Sequence, residues 1–136
     1  MGIPTPRPRR AAAVAAPAAD VYSPSCPSRR VLELIADKWA LLVVPALRAG
    51  PMRNSELLRR IGGVSQKMLT QTLRELERNG LVLREDHQTV PPHVEYRLTD
   101  LGRSLSTTLQ AVDRWAEAHH AELDRALSRW PHNPAL

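Results

Sequence analysis

Between a Gly-Gly pair and an Asn-Gly pair, the stretch GGVSQKMLTQTLRELERNGLV at residues 62 to 82 reads as a single helix with two opposed sides. At about 100 degrees per residue, Leu69, Leu73 and Leu76 fall within a narrow arc. Lys67, Thr70, Gln71, Arg74 and Arg78 gather on the opposite side, with no acid at its centre. Ser65 stands where a hydroxyl caps a helix start, and Asn79 with Gly80 is a left-handed stop. One side must be buried, and the other is a contiguous polar ridge that calls for a purpose.

The flanking segments supply context. NSELLRRI at 54 to 61 predicts a short helix capped by Asn54 or Ser55, and Gly62 with Gly63 supplies a tight turn, which makes helix, turn, helix. LVLRE at 81 to 85 and VEYRLT at 94 to 99 alternate as strands do. DHQTVPPH at 86 to 93 carries two prolines that exclude it from a central strand, so it joins the two strands as a hairpin loop. Upstream, RRVLELIADKWALLVVPALRAG at 29 to 50 predicts two helices broken around Asp37 and Lys38. Pro45 should bend the second or lie near its end, and Gly50 with Pro51 should stop it.

Downstream, Thr99 can cap a final long helix whose apolar positions are Leu101, Leu105, Leu109, Val112, Trp115 or Ala116, His119 and Leu123. That face is larger than so small a domain can cover. The predicted class is mainly α with a small β-hairpin: a winged helix-turn-helix with flanking dimerisation helices. Val31, Leu34, Leu109, Val112, Trp115, His119 and Leu123 are the residues expected at a homodimer seam.

The length of 136 residues suits one domain, expected over residues 26–124. A Pro-, Ala- and Arg-rich arm at 1–25 is expected to be disordered, and 125–136 is expected to be a tail. Charge is unevenly spread within a net of +5. Residues 1 to 30 hold five arginines against Asp20 alone, and residues 48 to 103 hold ten basic against seven acidic side chains. Basic charge therefore collects where the polar ridge sits, which favours an acidic partner, nucleic acid ahead of an anionic membrane surface. Cys26 is the only cysteine, so no intramolecular disulfide can form. With no apolar leader and no membrane span, a reducing cytoplasm is the expected compartment.

Gln, Thr, Arg and Lys are side chains that read base edges, because amide and guanidinium groups pair bidentately with adenine or guanine. The helix start near Ser65 would also offer N–H groups to a phosphate. Most amphipathic helices with basic outer faces are only solvated, so this ridge alone would be weak evidence. A capped helix and glycine turn before it, and a hairpin bearing His87, Gln88, His93 and Arg97 after it, strengthen the nucleic-acid reading.

CPSRRVLELIADKWALLVV, SELLRRIGGVSQKMLTQTLRELERNGLV and VPPHVEYRLTDLGRSL resemble, in order and over roughly residues 26 to 120, the HxlR-type winged-helix regulators, relatives of the broader MarR group. The resemblance implies a homodimeric bacterial transcription factor, most often a repressor. It places Ser65, Gln66, Lys67, Thr70, Gln71 and Arg74 on double-stranded DNA. The 86 to 94 loop would be the wing, and Arg53, His87, Gln88, His93 and Arg97 are further candidate contacts. Three positions depart from the family pattern: Asn54 where an aromatic is usual, Gly62 where a proline is usual, and His93 where an arginine is usual.

Cys26 precedes Pro27 at the start of the first predicted helix, where the helix dipole with Arg29 and Arg30 would favour a thiolate. Some HxlR-type proteins sense electrophiles or oxidants through a cysteine near this position, so Cys26 is a candidate redox-sensing residue. A half-buried cysteine without a sensing role is the alternative. Nothing in the sequence supports catalysis or a cofactor: there is no paired cysteine, zinc-binding His-Glu helix, phosphate-cradling loop or nucleophile elbow. No metal ligands are expected, since His119 and His120 point about 100 degrees apart on a helix. Two other functions remain open: a regulator tuned by a small ligand without thiol chemistry, and a winged-helix module that docks an acidic protein instead of DNA.

Overall fold

A computed structural model describes residues 18–130 together with Gly2. The chain divides after Glu33 into two compact units, Met1–Glu33 and Leu34–Leu136. Most of the arm expected over 1–25, with Arg7, Arg9 and Arg10, and residues 131–136 of the expected tail lie outside the described residues.

In the first unit, residues 20 to 26 form successive turns, with Ser23 N–H donating to the Asp20 carbonyl and Cys26 N–H to that of Ser23, both at 3.1 Å. Arg29 holds this turn by donating to the carbonyls of Val21 and Tyr22 at 3.4 and 3.3 Å. Helix α1, Pro27–Ala36, starts on Pro27, whose missing N–H would have had no helical partner at that position. Its later residues belong to the second unit, where Leu34 and Ile35 lie half-buried against the core.

The second unit follows the predicted order. Helix α2, Ala40–Ala46, begins after the break at Asp37 and Lys38 and carries Pro45 in its last turn. A 3₁₀ turn at Leu47–Ala49 then leads to Gly50. Strand β1, Met52–Arg53, precedes α3, Asn54–Arg60, and α4, Gln66–Arg78. Strands β2, Val82–Asp86, and β3, Val94–Leu98, form the hairpin, with α5, Asp100–Ala118, and α6, His120–Arg129, after it.

Three expectations change. The sheet has three antiparallel strands in the order β1-β3-β2, because Met52 and Arg53 pair with Tyr96 and Glu95. Two residues are too few to show a period of two, so β1 has no sequence signal of its own. The cap of α3 is Arg53 rather than Asn54 or Ser55, and Glu56 reaches back to accept the Arg53 N–H at 3.1 Å. The single final helix is two, separated at His119, so the boundary expected after residue 124 falls inside α6.

The core joins one side of each element. Leu69, Leu73 and Leu76 of α4 are almost wholly buried with Val43 and Val44 of α2, Leu57 of α3, Leu81, and Val82 and Leu98 of the sheet. Each fully buried leucine contributes about 1.5–3 kcal/mol, so this stripe fixes which way α4 faces. The predicted ends of α4 hold: Ser65 Oγ accepts the Met68 N–H at 3.1 Å. At the other end, Gly80 takes φ 74 and lets the Leu81 N–H return to the Leu76 carbonyl at 3.0 Å.

Thr72 sits among these leucines at 1% exposure, and its Oγ1 is buried without a hydrogen-bond partner. A buried hydroxyl left unpaired costs free energy that an isosteric methyl does not. Thr72→Val is therefore expected to stabilise the fold by about 1 kcal/mol, read as a higher urea midpoint at unchanged slope. A lowered midpoint would show that the hydroxyl is satisfied in solution.

Candidate nucleic-acid interface

With its leucines buried, α4 turns Gln66, Lys67, Gln71 and Arg74 outward, all exposed, with Thr70 half-buried beside them. Gln66 Nε2 donates to Thr70 Oγ1 at 3.1 Å, which restrains two of the five side chains one turn apart. Neither Lys67 nor Arg74 forms an ion pair among the described residues, whereas Arg78 lies 3.7 Å from Glu75. The ridge therefore presents its unneutralised charge in its first two and a half turns. Ser65 is exposed, but its hydroxyl is engaged in capping. The N–H groups of Gln66 and Lys67 precede the first closed helical hydrogen bond and are available to an anion.

The hairpin is the second part. Its register pairs Leu83 with Arg97, Glu85 with Glu95 and Asp86 with Val94, and His87 N–H continues the ladder to the His93 carbonyl at 2.9 Å. Because side chains alternate along a strand, Glu85, His87, His93, Glu95 and Arg97 share one side of the hairpin. Val82, Tyr96 and Leu98 share the other, which packs on the core. The outer side is largely self-paired: Arg97 Nε contacts Glu85, and His93 Nε2 lies 2.5 Å from Glu95 Oε1. Gln88, at φ 52, turns the chain at the loop entrance, where its N–H donates to Asp86 Oδ1 at 2.8 Å. Arg53, on the edge strand, donates to the Pro92 carbonyl at 3.3 Å and so reaches the far end of the loop.

The expected interface thus separates into two chemistries. The α4 residues form one ridge whose cations, Lys67 and Arg74, have no acid partner among the described residues. Around the hairpin, Arg97 is paired with Glu85, His87 and His93 face Glu95, and Arg53 keeps its charge beside the Pro92 carbonyl. Glu95 and Glu85, which neutralise that side, are not among the contacts expected from sequence. Cross-strand parity could have found both.

Of the expected seam residues, Leu109 is 3% exposed and fills the core of its own chain. It therefore offers almost no surface to a partner, although Val112 lies only about 60 degrees from it around α5. Val112, Trp115 and Leu123 are exposed at 51%, 56% and 40%, and Leu127 and Trp130 join them. His119 stacks on Trp115 with ring centroids 4.8 Å apart and lies 2.8 Å from its carbonyl through Nδ1. Val31 and Leu34 are half-buried.

Cys26 is half-buried at the start of α1, and its Sγ accepts the Asp20 N–H at 3.5 Å. Its thiol pKa is lowered, chiefly by that N–H and then by the backbone and hydroxyl of Ser28, against a smaller opposing effect of burial. The helix-start amides of Ser28 and Arg29 contribute as expected, whereas the Arg29 guanidinium is turned to Glu33 and to the turn carbonyls. A groove lined by Leu42, Pro45, Arg60, Gln110 and Asp113 lies between α2, α3 and α5, and burial, then Glu117, raises the Asp113 pKa. Among the described residues no helix is long and apolar enough to cross a membrane.

This architecture is shared with known regulators. The uncharacterised helix-turn-helix transcriptional regulator YtfH of Escherichia coli is 44% identical over 104 residues, covering 76% of this chain and 82% of that protein. The solved ytfH regulator of Salmonella typhimurium superposes with a TM-score of 0.75 at 40% identity, covering 82% of this chain and 99% of that one. The redox regulator HypR in its oxidised form superposes at 0.64 with 39% identity, over 68% of this chain and 96% of its own. The HxlR-like helix-turn-helix description matches residues 34–124, from the end of α1 into α6. With the α3-turn-α4 unit and the β2-β3 wing in place, the chain is a winged-helix transcriptional regulator and belongs to the HxlR-like helix-turn-helix family.

Proposed function

We propose that the protein is a homodimeric, sequence-specific repressor that places the α4 ridge of each protomer in the major groove of double-stranded DNA. The ridge carries this reading: Gln66, Lys67, Thr70, Gln71 and Arg74 are held outward by a leucine stripe that the core will not release. Amide and guanidinium groups at successive turns can address neighbouring base pairs, and the free N–H groups near Ser65 suit a phosphate. Arg53 and the wing loop would contact the adjoining backbone. The exposed Val112, Trp115, Leu123, Leu127 and Trp130 support a second copy as the cover for α5 and α6. Two ridges then meet half-sites spaced about 10 bp, or a multiple, apart.

The test is selectivity at fixed salt, because charge alone gives salt-dependent binding to any duplex. The full chain should prefer its own upstream intergenic DNA over random duplex by at least about a thousandfold. Equal affinity for both would favour a module that docks an acidic protein.

The signal we assign to Cys26. Its lowered pKa and hydrogen-bonded turn favour the thiolate, the form that attacks electrophiles, and the similarity to HypR is in keeping with redox control. Cys26→Ser is expected to bind the operator as the wild type does but to remain bound after diamide treatment that releases the wild type. Equal release of the two would retire the thiol assignment; a regulator tuned instead by a small ligand would show ligand-dependent thermal stabilisation with no need for Cys26.

A further inference from the structure

We propose that His87, His93 and Glu95 form a binding site for one divalent transition-metal ion at the base of the wing. Their ligating atoms all lie within 4.8 Å of one another. Glu95 Oε1 is 2.5 Å from His93 Nε2 and 3.5 Å from His87 Nε2, and the two imidazoles meet edge to face with centroids 4.8 Å apart. Tetrahedral zinc with bonds of about 2.0–2.1 Å sets its ligands about 3.3 Å apart, so small side-chain rotations suffice.

Register brings these residues together. His87 and His93 are opposite one another at the end of the β2-β3 ladder, and Glu95 is two residues along β3 on the same side. Two imidazoles and a carboxylate are a borderline ligand set suited to zinc, nickel or cobalt rather than to calcium or magnesium. The fourth position is open, because the His87 and His93 side chains are 43% and 38% exposed. Of the two arginines beside the site, Arg97 is neutralised by Glu85, while Arg53, opposite Glu95 on β1, directs its guanidinium to the Pro92 carbonyl and keeps its charge. Coordination replaces the contact between His93 Nε2 and Glu95: the imidazole carries its N–H on Nδ1 and turns the Nε2 lone pair to the ion. The ion then ties together both ends of the 88 to 92 loop.

Zinc(II) competition against a chromophoric chelator tests the site directly and does not depend on whether the chain binds DNA. The full chain in a Cys26→Ser background should take up one equivalent. His87→Ala, His93→Ala and Glu95→Gln should each weaken uptake by at least about tenfold, while His120→Ala should leave it unchanged. No uptake by the parent chain, or equal uptake by the His87→Ala/His93→Ala double variant, would overturn the proposal. Should the variants unfold, histidine ring NMR of the parent chain decides. The signals of His87 and His93 should shift together and saturate at one equivalent of zinc, and unmoved signals would overturn it.

Discussion

Replacing Arg74 with alanine is expected to weaken operator binding by about 1–3 kcal/mol, roughly 5- to 150-fold, while the thermal midpoint stays where it was. Arg74 is exposed on α4, one residue beyond the buried Leu73, and forms no ion pair among the described residues. Its removal takes nothing from the core. Lys67→Ala should fall in the same range if it meets a base. If it meets a phosphate, the loss should be uniform across sequences and the salt slope should drop by about one. Arg97→Ala should cost less, since its guanidinium already serves Glu85. Competition binding at constant salt reads all three affinities, and a salt series reads the slope. Unchanged affinity for both Arg74→Ala and Lys67→Ala would move the DNA-reading surface away from α4.

Gly102→Ala should damage the fold itself. A Cβ at this position would stand 1.9 Å from the Leu81 carbonyl oxygen and 2.9 Å from its carbon, inside any attainable contact. Neither partner can yield cheaply. The same carbonyl accepts the Thr99 N–H at 3.0 Å, and Thr99 Oγ1 caps α5 through the Gly102 N–H at 3.0 Å while donating to the Gly80 carbonyl at 2.6 Å. Strand end, helix cap and the exit of α4 therefore meet at one point without room for a methyl group. Overpacking against backbone should cost at least about 3 kcal/mol, which lowers the thermal midpoint by roughly 15 °C in a domain of this size. Ser104→Ala, exposed two residues on in α5, should stay within about 0.5 kcal/mol and serves as the control. A Gly102→Ala chain that melts with the wild type would show that α5 lies farther from Leu81.

The contrast between these substitutions shows how far the sequence could be read. Arg74 was legible because a helix assigns its sides by spacing alone, and Leu69, Leu73 and Leu76 announce which side is buried. Gly102 was not legible. It reads as an ordinary residue of the TDLGRSL helix start, and its constraint comes from Leu81, which is distant in sequence. Leu109 and Val112 share one apolar pattern, yet one is in the core and the other is exposed. Which of them faces inward depends on where α2 lies against α5, and no spacing encodes that.

Local chemistry in the sequence determined the α3-turn-α4 unit, the Ser65 cap, the Gly80 stop, the two hairpin strands and the exposed ridge of α4. Each depends on hydrogen bonds or periodicity within a few residues. Tertiary structure alone decided the third strand, the closeness of Gly102 to Leu81, the neutralisation of Arg97 and the meeting of His87, His93 and Glu95. Those follow from register and packing between separated segments, and a one-residue slip of β3 would send His93 and Glu95 to the core side without changing the sequence.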